Sequence, residues 1–343
     1  MYKLLCKTEQ ENVGISLWYK NGKNNDPSII FATGRHGIAN NISTPYILYN
    51  LHDNPKFLYD NNSNIISGFF SGVSVDKNLI LFSGNYAKKI EHSRLYKISP
   101  TTNKCKLLYI FETENKFSAR CGIIKDKTVI IGGTNGIILI YNFDSKYNLI
   151  NNKIINISSV DNIIVGLYLN NSILSCGIRI RSFELNYIKN KNNIDICFPI
   201  TNKFTKSAII DLKNDITKYF TTNMQCTSIY HNENYIICIG SGQKKYYSQC
   251  FYIPIKKNFI FGKKINLAIC DGRDCLIIDN NLFILCVTSK HIYIENFESN
   301  NRIYHYIDNI NPPCRGCVLY KSNKIIISSI LGETYVLNLD MIN

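Results

Sequence analysis

The sequence is short of acidic residues, arginine, histidine and long apolar runs, and each shortage closes off a class of protein. Against 39 Lys+Arg stand 25 Asp+Glu, a formal charge of +14, so this is no acidic solvating chain. Only 8 of the 39 cations are Arg, whereas nucleic-acid readout draws on the bidentate Arg fork and on cations gathered on one face. The Lys residues are scattered instead: Lys88-Lys89, Lys189 to Lys191, Lys244-Lys245, Lys256-Lys257 and Lys263-Lys264 fall at separate expected turns. Abundant Asn, Ile, Lys and Tyr are the residues of A/T-rich codons, and part of the +14 records that bias. There is no run of 18 apolar residues, so no membrane-spanning helix is expected. The opening Met1-Tyr2-Lys3-Leu4-Leu5-Cys6-Lys7 lacks the apolar core of a signal peptide.

Catalytic signatures are equally sparse. The six His (His36, His52, His92, His231, His291 and His305) show no zinc-ligand spacing. No Gly-x-Ser-x-Gly elbow is present for acyl transfer. Gly240-Ser241-Gly242-Gln243-Lys244 lacks the ending of a phosphate loop and reads as a hairpin turn. The Glu9/Glu11 pair sits in a connection with no burial pattern around it. Cys314-Arg-Gly-Cys317 has redox or zinc spacing but no second pair, which leaves a packing role. Most of the 13 Cys lie inside apolar runs, among them Cys176, Cys197, Cys238, Cys250 and Cys286. There they act as small hydrophobes, implying a reduced, cytosolic setting. No covalent chemistry is expected: the chain is not read as an enzyme.

What the sequence does have is burial capacity and a repeat. It is 45% hydrophobic and 19% charged, too apolar to remain disordered. Short runs of Ile, Val, Tyr and Phe are bounded by Asn, Gly, Asp and Lys, which is strand-and-turn chemistry. One kind of run recurs seven times: Ile29 to Ala32, Leu79 to Phe82, Val129 to Gly132, Ile173 to Cys176, Tyr235 to Cys238, Phe283 to Cys286 and Ile325 to Ser328. A period near 40–50 residues with four strands per unit is that of a β-propeller blade. The clearest copy, Val129 to Asp144, places Asn135-Gly136 between two strands, the pair that a tight hairpin turn demands. Tyr141 stands where a WD repeat often has Trp. The last copy, Ile325 to Asp340, repeats the plan around Leu331-Gly332.

The expected fold is therefore all-β: a seven-bladed, WD-repeat-like β-propeller in which residues 1–343 form one domain. An open propeller would leave unpaired strand edges at its termini. The final unit holds about three strands, so Tyr2 to Lys7 is expected to complete it, with residues 1–8 closing blade seven. The longest interval, between blades four and five, includes Lys189 to Asn193 and a stretch near Lys213 to Lys218, where an insertion or short helix is expected.

One connection stands out. After Ile29 to Ala32 come Thr33-Gly34-Arg35-His36-Gly37-Ile38-Ala39-Asn40-Asn41-Ile42-Ser43-Thr44 before the next expected strand, Pro45 to Leu51. Roughly twelve residues with two Gly, an exposed Ile and adjacent Asn suit either a long surface turn or a binding loop held out by a rigid scaffold.

At this segment the chain resembles the propeller-domain guanine nucleotide exchange factors of the COPII coat GTPase, the prolactin regulatory element-binding protein family, which acts at endoplasmic-reticulum exit. The likeness rests on Ile29 to Ala32, Gly34 and Gly37-Ile38-Ala39-Asn40. A second likeness is Val73 to Gly84, followed by a basic turn and Arg94-Leu95-Tyr96-Lys97-Ile98. The family's run of three or four Gly is reduced here to Gly34, with Arg35 and His36 intervening before Gly37. The resemblance implies acceleration of GDP release through this loop, with Ile38 and Asn40 as the exchange residues. It also implies a potassium ion held by Gly34, Gly37 and Asn40, and a GTPase contact over Arg35, His36, Gly37, Ile38, Ala39, Asn40 and Asn41. It further implies a monomeric propeller on the cytosolic face of the endoplasmic reticulum, tethered by an anchor beyond Asn343. The alternative reading is a non-catalytic scaffold that binds a peptide or subunit on one propeller face.

Overall fold

A computed structural model describes residues 2–8, 10, 12–20, 27–33, 44–49, 51, 53–84, 92–113, 117–157, 162–180, 205–222, 224–232, 235–242, 247–254, 264–268, 272–278, 281–286, 291–296, 302–306, 314–329 and 331–341. Among these, the regular structure is strand, apart from a 3-10 turn at Leu339–Met341. β1 (Tyr2–Lys7) precedes a four-stranded sheet of β2 (Asn12–Trp18), β3 (Ser28–Thr33), β4 (Tyr46–Leu48) and β5 (Lys56–Phe57). A five-stranded sheet follows, with β6 (Tyr59–Asp60), β7 (Phe70–Asp76), β8 (Leu79–Gly84), β9 (Ser93–Ile98) and β10 (Lys104–Phe111); the short β6 pairs in parallel with the edge of β10. The third sheet is β11 (Ala119–Lys125), β12 (Thr128–Gly133), β13 (Ile137–Phe143) and β14 (Leu149–Asn156).

Three more four-stranded sheets run in chain order. They are β15 (Asn162–Asn170), β16 (Ile173–Ile180), β17 (Thr205–Asp211) and β18 (Ile216–Thr222); β19 (Met224–His231), β20 (Tyr235–Gly242), β21 (Tyr247–Pro254) and β22 (Lys264–Ala268); and β23 (Gly272–Ile278), β24 (Asn281–Cys286), β25 (His291–Asn296) and β26 (Arg302–Tyr306). The seventh sheet joins β27 (Cys314–Lys321), β28 (Lys324–Ser329) and β29 (Glu333–Asn338) to β1, which pairs antiparallel with β29 from Tyr2↔Leu337 to Lys7↔Glu333. The fold is the all-β, seven-sheet propeller class that the repeat spacing predicts, and the first strand completes the last sheet. Contacts group the chain into two compact units, one of residues 1–133, 138–155 and 315–343, the other of 134–137 and 156–314.

The seven recurring runs are the second strands of the seven sheets, and their unbroken apolar character has a packing cause. In β3, Ile29 and Phe31 enter a core with Cys6, Ile15, Tyr46, Leu48, Tyr320 and Ile326. Ile30 and Ala32 enter another with Trp18, Ile47, Leu58, Phe70, Ile80 and Phe82. Successive side chains of a strand point to opposite faces, so a strand between two cores is apolar at every position. The first strands are only half-buried, and within each unit they lie side by side, β2 against β7 and β7 against β11 in the first, β15 against β19 and β19 against β23 in the second. A Cβ on Gly14 would sit 3.0 Å from both Gly72 Cα and Val73 N. Each described first strand from β2 to β23 carries a register shift near its start, as at Asn12/Gly14, Phe70/Gly72 and Ala119/Cys121. The repeated bulge sharpens local twist at the same place in these six sheets.

Some sequence expectations change. Lys213 to Lys218 is no helix: Leu212–Asp215 forms a turn and β18 begins at Ile216. Asp211 accepts the backbone N–H of Lys213 and Asn214 and the Asn214 side-chain amide, which fixes the turn before a run that favours strand. Gly240-Ser241-Gly242 lies within β20, paired with Cys226, Gln225 and Met224, because these small residues sit where β19 bulges at Cys226/Ser228. β4 spans only Tyr46–Leu48. Lys189 to Asn193, Glu9 and Glu11 lie outside the described residues. Asn135-Gly136 forms the expected turn, with φ of 62° and 63°.

Asp60, Asp144 and Asp211 repeat one turn device. Asn64 backbone and side-chain N–H groups hold the Asp60 carboxyl below its ordinary value, Asn148 does the same for Asp144, and Asn214 for Asp211. A depressed carboxyl contributes stability above its unfolded-state pKa, near 3.8, and loses it as pH falls through the folded value. Urea midpoints should therefore drop on acidification below about pH 4, and more gently in Asp144→Asn, when followed by circular dichroism. Removing residues 1–8 strips the β29 edge and takes Cys6 from its core. Five paired positions at about 1 kcal/mol per hydrogen bond make a loss on the order of 5 kcal/mol. A truncated chain that melts with the full chain would show β1 to be dispensable.

Candidate functional site

In a sheet of four antiparallel strands, the connection from the second strand to the third emerges at the same end as the one leading to the next sheet. One end of the first unit thus gathers the residues at which β1, β3, β8, β10 and β28 finish. Thr33 and Thr44, which flank the conspicuous connection between β3 and β4, belong to this end. Residues 34–43, and with them Gly34, Arg35, His36, Gly37, Ile38, Ala39, Asn40 and Asn41, lie outside the described residues. The two residues that begin and finish the segment do not.

Thr33, fully buried at the end of β3, faces Thr44 across the mouth of the connection. Its hydroxyl meets the Thr44 carbonyl oxygen and accepts the Thr44 N–H at 3.1 Å. Gln10, from the β1–β2 connection, completes the clamp. Its Oε1 lies 2.9 Å from Thr33 Oγ1 and accepts the Thr44 N–H at 3.1 Å.

Gln10 is itself held. Thr8 Oγ1 donates to the Gln10 carbonyl at 2.8 Å, and Thr8 N donates to the Gly332 carbonyl at 2.9 Å. Gly332 has φ +81°, and a Cβ there would fall 2.5 Å from Thr8 O and 2.7 Å from Gln10 O, so both conformation and space exclude a side chain. Beside it the mostly buried Glu333 accepts Tyr335 O–H at 2.7 Å and pairs with Lys7 at 3.3 Å, and Leu331 is 48% exposed. A continuous polar chain therefore runs from the β28–β29 turn through Thr8 and Gln10 to both ends of the 34–43 segment. Sequence reading singled out the segment but missed this base. Thr8, Gln10 and Gly332 are far apart in the chain, and only the pairing of β1 with β29 brings them together.

The described residues of the first unit offer structure more than reactivity. Burial pushes the Cys6 thiol up to about 11 and the Cys105 thiol up to about 12, so both stay protonated and pack as hydrophobes. Cys317 is buried in β27, in keeping with a packing role. Sequence reading also missed a pair in the second unit, where Ser175 Oγ lies 2.9 Å from His231 Nδ1. A substrate could not reach it, since Ser175 is fully buried and His231 nearly so. The ring of Tyr168 stands edge-on to the imidazole at 5.1 Å. The pair joins β16 to β19 and serves packing. Among the described residues no cluster of His, Cys, Asp or Glu could hold a metal ion.

No family model and no curated protein matches this sequence. Solved structures resemble it in fold. A crystal structure of the mitotic checkpoint complex aligns with TM-score 0.66 at 11% identity, covering 98% of this chain and 93% of that one. The WD40 β-propeller domain of Doa1 aligns with TM-score 0.61 at 11% identity, covering 98% and 96%. BamB from Moraxella catarrhalis gives 0.59 at 11%, covering 95% and 85%. At that identity the likeness establishes a WD40-type propeller fold and nothing finer.

If the clamp holds the segment's base, Gln10→Ala and Thr33→Val should each cost about 1–2 kcal/mol. The double variant should cost clearly less than the sum, because the two groups share Thr44. Urea denaturation of the four proteins measures this, and strict additivity would dissolve the network.

Proposed function

We propose that this chain is a protein-binding propeller that meets its partner at the end of the first unit carrying residues 34–43, and that it acts there as a guanine nucleotide exchange factor for the small GTPase of the COPII coat. The observation behind the reading is the Thr33–Gln10–Thr44 clamp. A connection fixed at both ends on a buried threonine forfeits less conformational entropy on docking than a free loop would. The particular partner comes from Gly37-Ile38-Ala39-Asn40 and its resemblance to the exchange-factor family.

Exchange needs no bond making by the propeller itself. A nucleotide bound at nanomolar to picomolar affinity represents roughly 12–16 kcal/mol. It leaves faster only when another ligand prefers the empty GTPase, and the coupling is reciprocal. In this reading Ile38 supplies an apolar contact beside the nucleotide pocket and Asn40 fixes the loop or reaches the partner. Gly34 and Gly37 allow a tight backbone path, and Arg35 and His36 steer an acidic switch region. A potassium ion on carbonyl oxygens of Gly34 and Gly37 and on Asn40 would order the loop. The propeller would work on the cytosolic face of the endoplasmic reticulum. The second reading, a scaffold without exchange activity, draws on the same fold.

Release of a fluorescent GDP analogue from the coat GTPase tests the proposal. The full chain should accelerate release, Ile38→Ala and Asn40→Ala should each lose about tenfold or more, and sodium in place of potassium should slow it. Binding to the nucleotide-free GTPase without acceleration would favour the scaffold. Wild-type rates in both variants would remove the loop from the mechanism.

A further inference from the structure

The turn between β12 and β13 carries a chemically reactive pair. Asn135-Gly136 is one of two Asn-Gly pairs in the chain, and the other, Asn21-Gly22, lies outside the described residues. Asn135 and Gly136 have φ of 62° and 63°, a demand that glycine at position 135 would meet as readily as asparagine. Asparagine adds a hazard that glycine would not. In an Asn-Gly pair the glycine nitrogen, once it loses its proton, attacks the side-chain carbonyl carbon of the asparagine, with no Cβ on the glycine to block the approach. Ammonia leaves as the new C–N bond closes a succinimide ring, and water then opens the ring to aspartate or isoaspartate.

The folded turn commits the atoms of that reaction to other bonds. Gly136 is buried, and its N–H donates to the Asn162 carbonyl at 2.9 Å. The Gly136 carbonyl accepts the Ile157 N–H at 3.0 Å, and Ile137 N–H donates back to the Thr134 carbonyl at 3.3 Å. Thr134 also forms an antiparallel bridge with Ile163. The turn is thereby docked on the residues that lead into β15. The corresponding turn of the seventh sheet is docked in the same manner, the Gly332 carbonyl accepting Thr8 N–H at 2.9 Å, but Leu331 precedes that glycine and has no amide to lose.

We infer that Asn135 is a deamidation site gated by this docking. The proton that Gly136 must lose is the one donated to Asn162, so the ring closes only when the turn lifts from residues 157–162. The product is a one-way mark. Isoaspartate adds a main-chain carbon to a turn whose reach is set by the Gly132↔Ile138 pairing and by the bonds to Ile157 and Asn162, and aspartate brings a negative charge to a half-buried position. Each opening of the contact therefore risks a covalent change that weakens later docking. This site is separate from the 34–43 connection and does not depend on exchange activity.

Peptide mapping by tandem mass spectrometry of the full chain, aged at mildly alkaline pH, tests the inference, with a synthetic peptide of residues 130–142 as the undocked reference. The fragments distinguish Asn135 from Asn21. Native chain should deamidate at Asn135 more than about tenfold more slowly than the peptide, with isoaspartate among the products. Hydrogen exchange at Gly136 begins with loss of the same proton, so the slowing should match the protection of that N–H measured in the same buffer. Ile157→Pro removes one docking N–H and should speed both processes. Urea below the unfolding midpoint should do the same in the unaltered chain, which decides the matter even where the proline variant does not fold. Equal rates in native chain and peptide, no deamidation at Asn135 in the urea-unfolded chain, or a rate unrelated to Gly136 protection would overturn the inference.

Discussion

The structure depends on one constraint: in the six sheets whose second strand has described side chains, that strand is buried along nearly its whole length. β3 shows what this demands, with alternate residues packed into two different cores. A small sheet of four strands cannot bury its apolar faces alone, so each supplies half of a core that its neighbour completes. Removing Phe31 or Ile30 would leave a cavity costing about 2–5 kcal/mol. Burial then falls off along the strand order. β12 and β13 are nearly closed to solvent while β14 is almost fully open. The first strands are half-buried but meet backbone to backbone, which is why Gly14 has no room for a side chain.

With the strands fixed by packing, the connections are fixed by polar groups, some of them local and some long-range, as where Asp126 N–H donates to Asp76 in the neighbouring sheet. Asp60 and Asp144 close exposed turns with their own near neighbours Asn64 and Asn148, contacts that local sequence can supply. At the opposite end the contacts are long-range. Thr8 meets Gly332 across 324 positions and Gln10 meets Thr33 across 23. A local turn stabilises only itself, whereas a long-range clamp ties a connection to the rigidity of the sheets beneath it.

Legibility in the sequence followed the same division. Burial of a second strand on both faces, as in β3, writes itself as an apolar run, so strand identity and sheet number could be read from Ile29 to Ala32 and its six counterparts. Asn135-Gly136 was legible because positive φ demands those residues. The pairing of β1 with β29 followed from the need to cover an edge. The Thr33–Gln10–Thr44 clamp was not legible, since threonine and glutamine at those spacings carry no pattern and meet only after the last sheet is completed. Ser175 and His231 were hidden for the same reason, being 56 positions apart. Lys213 to Lys218 misled because the length of its interval suggested an insertion or short helix where Asp211 in fact builds a turn.

The charge of the chain acquires meaning only through these local arrangements. A +14 excess draws any acidic protein and raises its rate of encounter, but long-range attraction is screened beyond about 8–10 Å at cellular ionic strength and discriminates little among acidic partners. Discrimination must come from groups whose hydrogen-bonding direction is already set. The row from Thr128 through Asn142 to Asn151 is such an arrangement: Thr128 donates to Asn142 and Asn142 to Asn151, so each amide is oriented by its inner neighbour.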